Sequence, residues 1–147
     1  MAVIEDKIEM RNLAAEVEKW RQAVSTGNMD VFGAMYATDA VLFVPMSPDP
    51  VRGRQAIRDY EANLRVAFPD AKLQLHHPLV EGETVAVEWE YSGRNTGPIR
   101  TPIREIPPTG RPMHIHGASF LHFHNGVITQ ERRYYDARTL YQQLGLQ

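Results

Sequence analysis

Residues 110–146 read GRPMHIHGASFLHFHNGVITQERRYYDARTLYQQLGL, and this stretch decides the fold. It predicts a long strand, a tight turn at Asn125-Gly126, a second long strand and a short closing helix. Asn-Gly is a strong hairpin signal because a type I′ turn needs positive φ at both central residues. Side chains alternate between the two faces of a strand. Met113, Ile115, Gly117, Ser119, Leu121 and Phe123 therefore share one side, and His114, His116, Ala118, Phe120, His122 and His124 share the other. Gly117 and Ser119 interrupt the apolar side, as if something other than packed side chains occupied that space. The second strand gathers Glu131, Arg132, Arg133, Tyr134, Tyr135 and Asp136 at its end. A small-residue floor beside a dense polar cluster predicts a pocket.

Composition narrows the function classes. The 147 residues suit one domain, residues 1–147, with a real core. A formal net charge of −2 argues against nucleic-acid binding, which usually needs a basic balance. Cysteine is absent, which excludes disulfides, thiolate catalysis and cysteine zinc sites. The opening MAVIEDKIEM is charged where a signal peptide needs an apolar run, and no long apolar stretch follows. These features predict a cytoplasmic domain without a membrane partner.

Upstream of the hairpin the pattern is first helical and then extended. Leu13, Val17, Trp20 and Val24 form one stripe of a helix from about Glu5 to Val24. Asp30 is a plausible N-cap for a short second helix that buries Val31, Phe32, Met35 and Tyr36. Residues 40–44 form a brief apolar strand, and the three prolines and glycine of residues 45–53 make a loop. A third helix over residues 54–68 aligns Ile57, Tyr60, Leu64 and Phe68. Leu73, Leu75, His77 and Leu79 alternate along the next strand. Val85, Val87, Trp89 and Tyr91 then share one face of its partner. Residues 94–110 carry Pro98, Pro102, Pro107 and Pro108, a connection long enough to expect a functional lid or a partly disordered loop. Helices followed by strands make this α+β, with an antiparallel sheet and the helices on one face.

Several local matches support a family resemblance. They are Trp20, residues 35–41 (MYATDAV), Val51-Arg52-Gly53 before Ala56-Ile57, Ser92-Gly93-Arg94 with Thr96-Gly97, residues 106–111 (IPPTGR), and Arg132-Arg133-Tyr134-Tyr135-Asp136 with Gln143-Leu144-Gly145. With this element order the chain resembles the SnoaL-like branch of the nuclear-transport-factor-2-like superfamily over nearly its whole length. The resemblance implies a cone, a curved antiparallel sheet wrapped around the N-terminal helices, with a ligand cavity open at one end. It also implies a homodimer formed through the outer sheet face. The fold hosts cyclases, isomerases, hydrolases and non-catalytic binders, so it does not by itself give the chemistry.

None of the catalytic sets that the resemblance suggests is intact. The carboxylate of the aldol-type polyketide cyclases precedes a second Asp by three residues; with Asp136 as that second Asp, the position falls on Arg133. The middle-strand Arg and Asp of limonene-epoxide-hydrolase relatives fall on Trp89 and Tyr91. The general-base Asp of ketosteroid-isomerase relatives falls on Val44, before Pro45.

Other residues must then carry any chemistry. Arg133 would hold a developing oxyanion. Glu131 shares its parity and would be a substitute base if no bulge intervenes. His77, following Leu73 and Leu75 on an inner face, would serve as a general base. Asp136 is either catalytic or the N-cap of the last helix. Trp20, Tyr36, Tyr60, Trp89, Tyr91, Gly117, Ser119 and Tyr135 are the expected ligand contacts. A His-x-His pair such as His114 and His116 holds metal in cupins, but residues 117–121 supply no Glu, and that face lies opposite the floor. The expectation is no metal and no cofactor. The chain is expected to act as a cyclase, isomerase or hydrolase on an apolar, ring-containing polyketide- or terpenoid-like molecule. The alternative is a non-catalytic binding or dimeric interaction module.

Overall fold

A computed structural model describes residues 2–146. Four helices and eight strands follow in the order α1 (Ala2–Thr26), α2 (Met29–Ala34), β1 (Tyr36–Phe43), β2 (Val51–Arg52), α3 (Arg54–Ala67), β3 (Lys72–Glu81), β4 (Thr84–Arg94), β5 (Ile99–Arg100), β6 (Glu105–Ile106), β7 (Pro112–His124), β8 (Val127–Tyr135) and α4 (Ala137–Gln143). Six strands form one curved sheet in the order β2-β1-β8-β7-β4-β3, and β5 pairs with β6 separately. The architecture is α+β, as the pattern predicts.

One strand pair departs from the expected antiparallel sheet, because β1 runs parallel to β8. The short turns between β3 and β4 and between β7 and β8 force antiparallel neighbours. No such turn links β1 to β8; α3 and the whole of β3–β7 lie between them in sequence, which frees their relative direction. The hairpin itself forms as read, with positive φ at both Asn125 (50°) and Gly126 (80°).

The stripe on α1 packs onto the inner sheet face. Leu13, Val17, Trp20 and Val24 are all buried, and Ser25 fastens the end of that helix to β3 by donating to the Leu73 carbonyl and accepting from its N–H. From the sheet side, Val85, Val87, Trp89, Met113, Ile115 and Leu121 meet this stripe in one contiguous core. Burying an aliphatic or aromatic side chain of this kind is worth about 1.5–3 kcal/mol. The core therefore dominates the folding energetics, and any polar group inside it must be hydrogen-bonded to be tolerated.

Two local expectations are corrected. Asn28, not Asp30, caps α2, its side chain accepting from the Val31 N–H, and Tyr36 belongs to β1 rather than to that helix. The connection after β4 is neither open nor loose at its base. Asn95 is fully buried there, donating to the carbonyls of Ala67 and Gly97 and accepting from the N–H and hydroxyl of Thr109. Asparagine offers two donors and an acceptor in one small group, so a single side chain anchors both ends of the segment.

Candidate functional site

The hairpin's inward face and helix α3 together build a buried charge cluster. A bulge on β8 falls between the pairs His122–Gln130 and Phe123–Ile128, before Glu131 is reached. Parity is then uninterrupted, so Glu131, Arg133 and Tyr135 all point inward. Glu131 has no solvent exposure and Arg133 is 9% exposed. From the opposite wall α3 contributes Glu61, 4% exposed, one turn after Ile57.

The cluster is connected throughout. Arg133 Nε donates to Glu131 Oε2 at 2.9 Å, and its Nη2 reaches Glu131 Oε1 at 3.3 Å and Glu61 Oε1 at 3.2 Å. The Tyr36 hydroxyl donates to Glu131 Oε1 at 2.5 Å and accepts from Trp20 Nε1 at 3.0 Å. The Ser119 hydroxyl donates to Glu131 Oε2 at 3.1 Å and accepts from Trp89 Nε1 at 3.0 Å. Glu131 thus accepts four hydrogen bonds from three side chains. Glu61 differs. Its Oε1 takes Arg133, while among the described residues no donor reaches Oε2.

Electrostatics separate the two ends of the cluster. Burial lifts the Glu61 carboxyl above its ordinary 4.5; Arg133 opposes the rise and the charge of Glu131 adds to it. Burial also disfavours the Arg133 cation, but Glu131 and Glu61 together outweigh it, so the guanidinium stays charged. Burial, with the charge of Glu131, keeps the Tyr36 hydroxyl protonated well beyond its usual range, which is why it donates to the carboxylate. Burial likewise raises Tyr91 and Tyr135. Two carboxylates share one guanidinium, and the surplus negative charge makes Glu61 the natural place for a proton.

Glu61 and Arg133 face a cavity of about 50 Å³ whose other walls are almost entirely apolar. Trp20 and Val24 close it from α1, Trp89 and Tyr91 from β4, Tyr135 from β8, and Leu140 from α4. That volume holds a few waters or a ligand fragment, against the 300–1,000 Å³ usual for ligand sites. A ring-sized ligand needs a wall to move. Helix α4 is the lightest wall, packed mainly on β7 and fastened there by Gln143, which bonds both backbone groups of His114.

Of the residues singled out from the sequence, Trp20, Trp89, Tyr91, Arg133 and Tyr135 line this cavity. Other expectations are corrected. His77 is exposed, because β3 bulges between His76 and Leu79 and His77 takes a positive φ of 45° beside Pro78; it cannot serve the cavity. Asp136 is the N-cap of α4, accepting from the N–H groups of Arg138 and Thr139, away from the cavity walls. Glu131, Tyr36 and Ser119 lie behind the wall rather than in it, and Tyr60 is not a lining residue. Gly117 is no open floor. A Cβ there would come within 2.4 Å of the Trp89 indole and 2.6 Å of the Tyr134 carbonyl, so the glycine makes room for the Trp89 ring.

Glu61 is the site residue that the sequence reading passed over. Its signal was present: a glutamate between Ile57 and Leu64 on the apolar stripe of α3 sits where only a satisfied charge is tolerated.

The model of the SnoaL-like domain family matches residues 17–131. Among solved structures, a Jannaschia sp. CCS1 protein named as a SnoaL-like polyketide cyclase superposes with a TM-score of 0.80 at 18% identity, covering 91% of this chain and 92% of that one. IdmH of Streptomyces antibioticus, named as a polyketide cyclase, gives 0.73 at 22% identity over 90% and 98% of the two chains. A Catenulispora acidiphila DSM 44928 protein with a ketosteroid isomerase-like fold, solved with trimethylamine, gives 0.73 at 21% over 89% and 92%. At such identities these structures share the fold and nothing finer. Among the described residues, no helix is long and apolar enough to cross a membrane.

Proposed function

The chain belongs to the SnoaL-like domain family, and on that premise we propose that it is a cofactor-independent enzyme moving a proton on an apolar, ring-containing carbonyl compound. The carrying observation is Glu61, a buried carboxyl with a raised pKa and one oxygen without a protein donor, facing an apolar cavity beside the Arg133 cation. In this reading Glu61 is the general base or acid. A carboxyl that burial lifts above its ordinary value is a stronger base than a solvated one, as proton transfer needs. Arg133 binds the oxygen on which negative charge develops as the carbon loses its proton, in a low-dielectric site where such a contact is strong. Tyr91 and Tyr135, both protonated, border the same space and add donors. Trp20 and Trp89 supply the apolar walls that a ring stacks against. Glu131 acts through Arg133 and is a positioning residue. Such a pair suits a cyclase, isomerase or hydrolase, and the apolar lining is compatible with the polyketide- or terpenoid-like class that the family resemblance suggests.

The test is deuterium uptake from D2O at carbons next to a carbonyl, across a panel of polycyclic ketones and β-polyketones. Enzyme-dependent uptake that falls about 100-fold or more in Glu61→Gln supports the assignment. Uptake indifferent to that change sinks it. Saturable binding to the cavity without any uptake favours the alternative of a ligand carrier.

We also propose a homodimer through the outer sheet face, where Phe120 and Tyr134 stack edge-on while 41% and 52% exposed. Exposed paired aromatics of this kind suit an interface. A monomer by light scattering at micromolar concentration would rule it out.

A further inference from the structure

The outer face of the sheet carries a second polar constellation that the cavity does not use. On β4, Glu90 lies directly opposite His116 of β7, and the next outward pair along is Ser92 with His114. On the other side Glu90 lies opposite Gln74 of β3, and His76 is the next outward residue along that strand. Direct and diagonal cross-strand neighbours on one face are within reach of long side chains. Three imidazoles from two strands therefore converge on one carboxylate.

The contacts are close. His114 Nε2 is 2.8 Å from Glu90 Oε1, His116 Nδ1 is 3.9 Å from the same oxygen, and His76 Nε2 is 2.5 Å from Oε2. The His114 and His116 rings stack with centroids 5.1 Å apart and planes at 30°. One ligand atom each from Glu90, His114 and His116 falls within 4.8 Å of the others. Bonds of about 2.0–2.2 Å around a tetrahedral zinc place ligand atoms roughly 3.3–3.5 Å apart, so small side-chain rotations suffice. In the single chain all four side chains are partly exposed, from 24% for Glu90 to 75% for His116.

We propose that Glu90, His114 and His116 form a surface site for a divalent transition-metal ion, with His76 holding the second carboxylate oxygen. Imidazole with carboxylate is the donor set of zinc, copper, nickel and non-haem iron rather than of magnesium or calcium. Two imidazoles and one carboxylate leave a fourth coordination position unfilled by these side chains. A hydrogen bond from His76 to Glu90 fixes the carboxylate as outer partners do in metal sites. The His-x-His pair lacks a glutamate on its own strand, and the sheet supplies one from the neighbouring strand.

The test uses the untagged full-length chain stripped of metal and titrated with Zn²⁺ by calorimetry, with Cu²⁺ followed by electron paramagnetic resonance. The expected result is one zinc per chain, a higher melting temperature with zinc, and nitrogen hyperfine structure from two imidazoles on copper. His114→Ala with His116→Ala should abolish the site, Glu90→Gln should weaken it at least tenfold, and His76→Ala should weaken it about 10–100-fold. His122→Ala is the control: it lies on the same face, bonded instead to Thr84, and should leave binding unchanged. Circular dichroism of each variant checks the fold, and the near-isosteric Glu90→Gln keeps the test decisive should the double variant misfold. Absence of zinc binding at millimolar metal overturns the proposal, as does binding that survives both Glu90→Gln and the double variant.

Discussion

The two faces of one sheet treat a glutamate in opposite ways. Inside, Glu131 is sealed from water and held by Arg133, Tyr36 and Ser119, with Glu61 sharing the same guanidinium. Outside, Glu90 meets three imidazoles at the solvent boundary. The inner cluster joins two residues of β8 to one of α3, and the outer one joins cross-strand neighbours on β3, β4 and β7. What differs is the dielectric. In the interior a charge without its partner costs several kcal/mol, whereas at the surface water replaces a lost partner nearly for free.

The strongest way to break that contrast is Arg133→Met. It leaves two carboxylates buried without a cation, and removing one member of a buried charge network costs about 3–5 kcal/mol. Urea unfolding at neutral pH should show a loss of that size, while Glu90→Gln should barely move the midpoint. Comparable losses in the two variants would mean that burial is not what distinguishes the faces.

Asn95→Ala sharpens the comparison by removing charge from it. This side chain is as buried as Glu131 but neutral; its loss strands the Thr109 N–H and takes one of two donors from the Ala67 carbonyl, which keeps the Gly97 N–H. The expected cost is about 1–3 kcal/mol, below that of Arg133→Met. A larger loss than Arg133→Met in the same denaturant series would show that anchoring residues 94–110 matters more to stability than the charge cluster does.

How much of this was readable beforehand follows from the same distinction. The hairpin of β7 and β8, the stripe on α1 and the inward set on β4 were legible because burial there repeats with a fixed period. The inward turn of Glu131 and Arg133 was legible too, since the β8 bulge falls before them. His77 was misplaced because a bulge beside Pro78 is a local backbone event that periodicity does not encode. The parallel pairing of β1 with β8 was invisible for a related reason, as no turn joins them. Asp136 offered both a catalytic and a capping role, and only the three-dimensional position of the cavity chooses the cap. Gly117 shows a third kind of failure: a small residue in a strand signals close approach, and sequence does not say whether a ligand or the Trp89 indole approaches. Glu90 with His114 and His116 was hidden because its members lie on different strands.

The smallest expected effect is in the pH dependence, where the two faces should carry opposite signs on opposite sides of pH 4.5. Burial holds the Glu61 carboxyl above its ordinary 4.5. From 4.5 upward to its folded value, the unfolded chain has released a proton that the folded chain still keeps, so stability falls as pH rises through that window. The hydrogen bond from His76, and then that from His114, holds Glu90 below 4.5. The folded chain there releases its proton first, so this contribution is present above 4.5 and is lost as pH falls through the folded value. Urea midpoints measured across this range should show two limbs. Glu61→Gln should make only the limb above 4.5 shallower, and Glu90→Gln only the limb below it, to which Glu18 and Asp136, also held low by hydrogen bonds, still contribute. If both substitutions flatten the same limb, the contrast between a desolvated inner carboxyl and a hydrogen-bonded outer one is wrong.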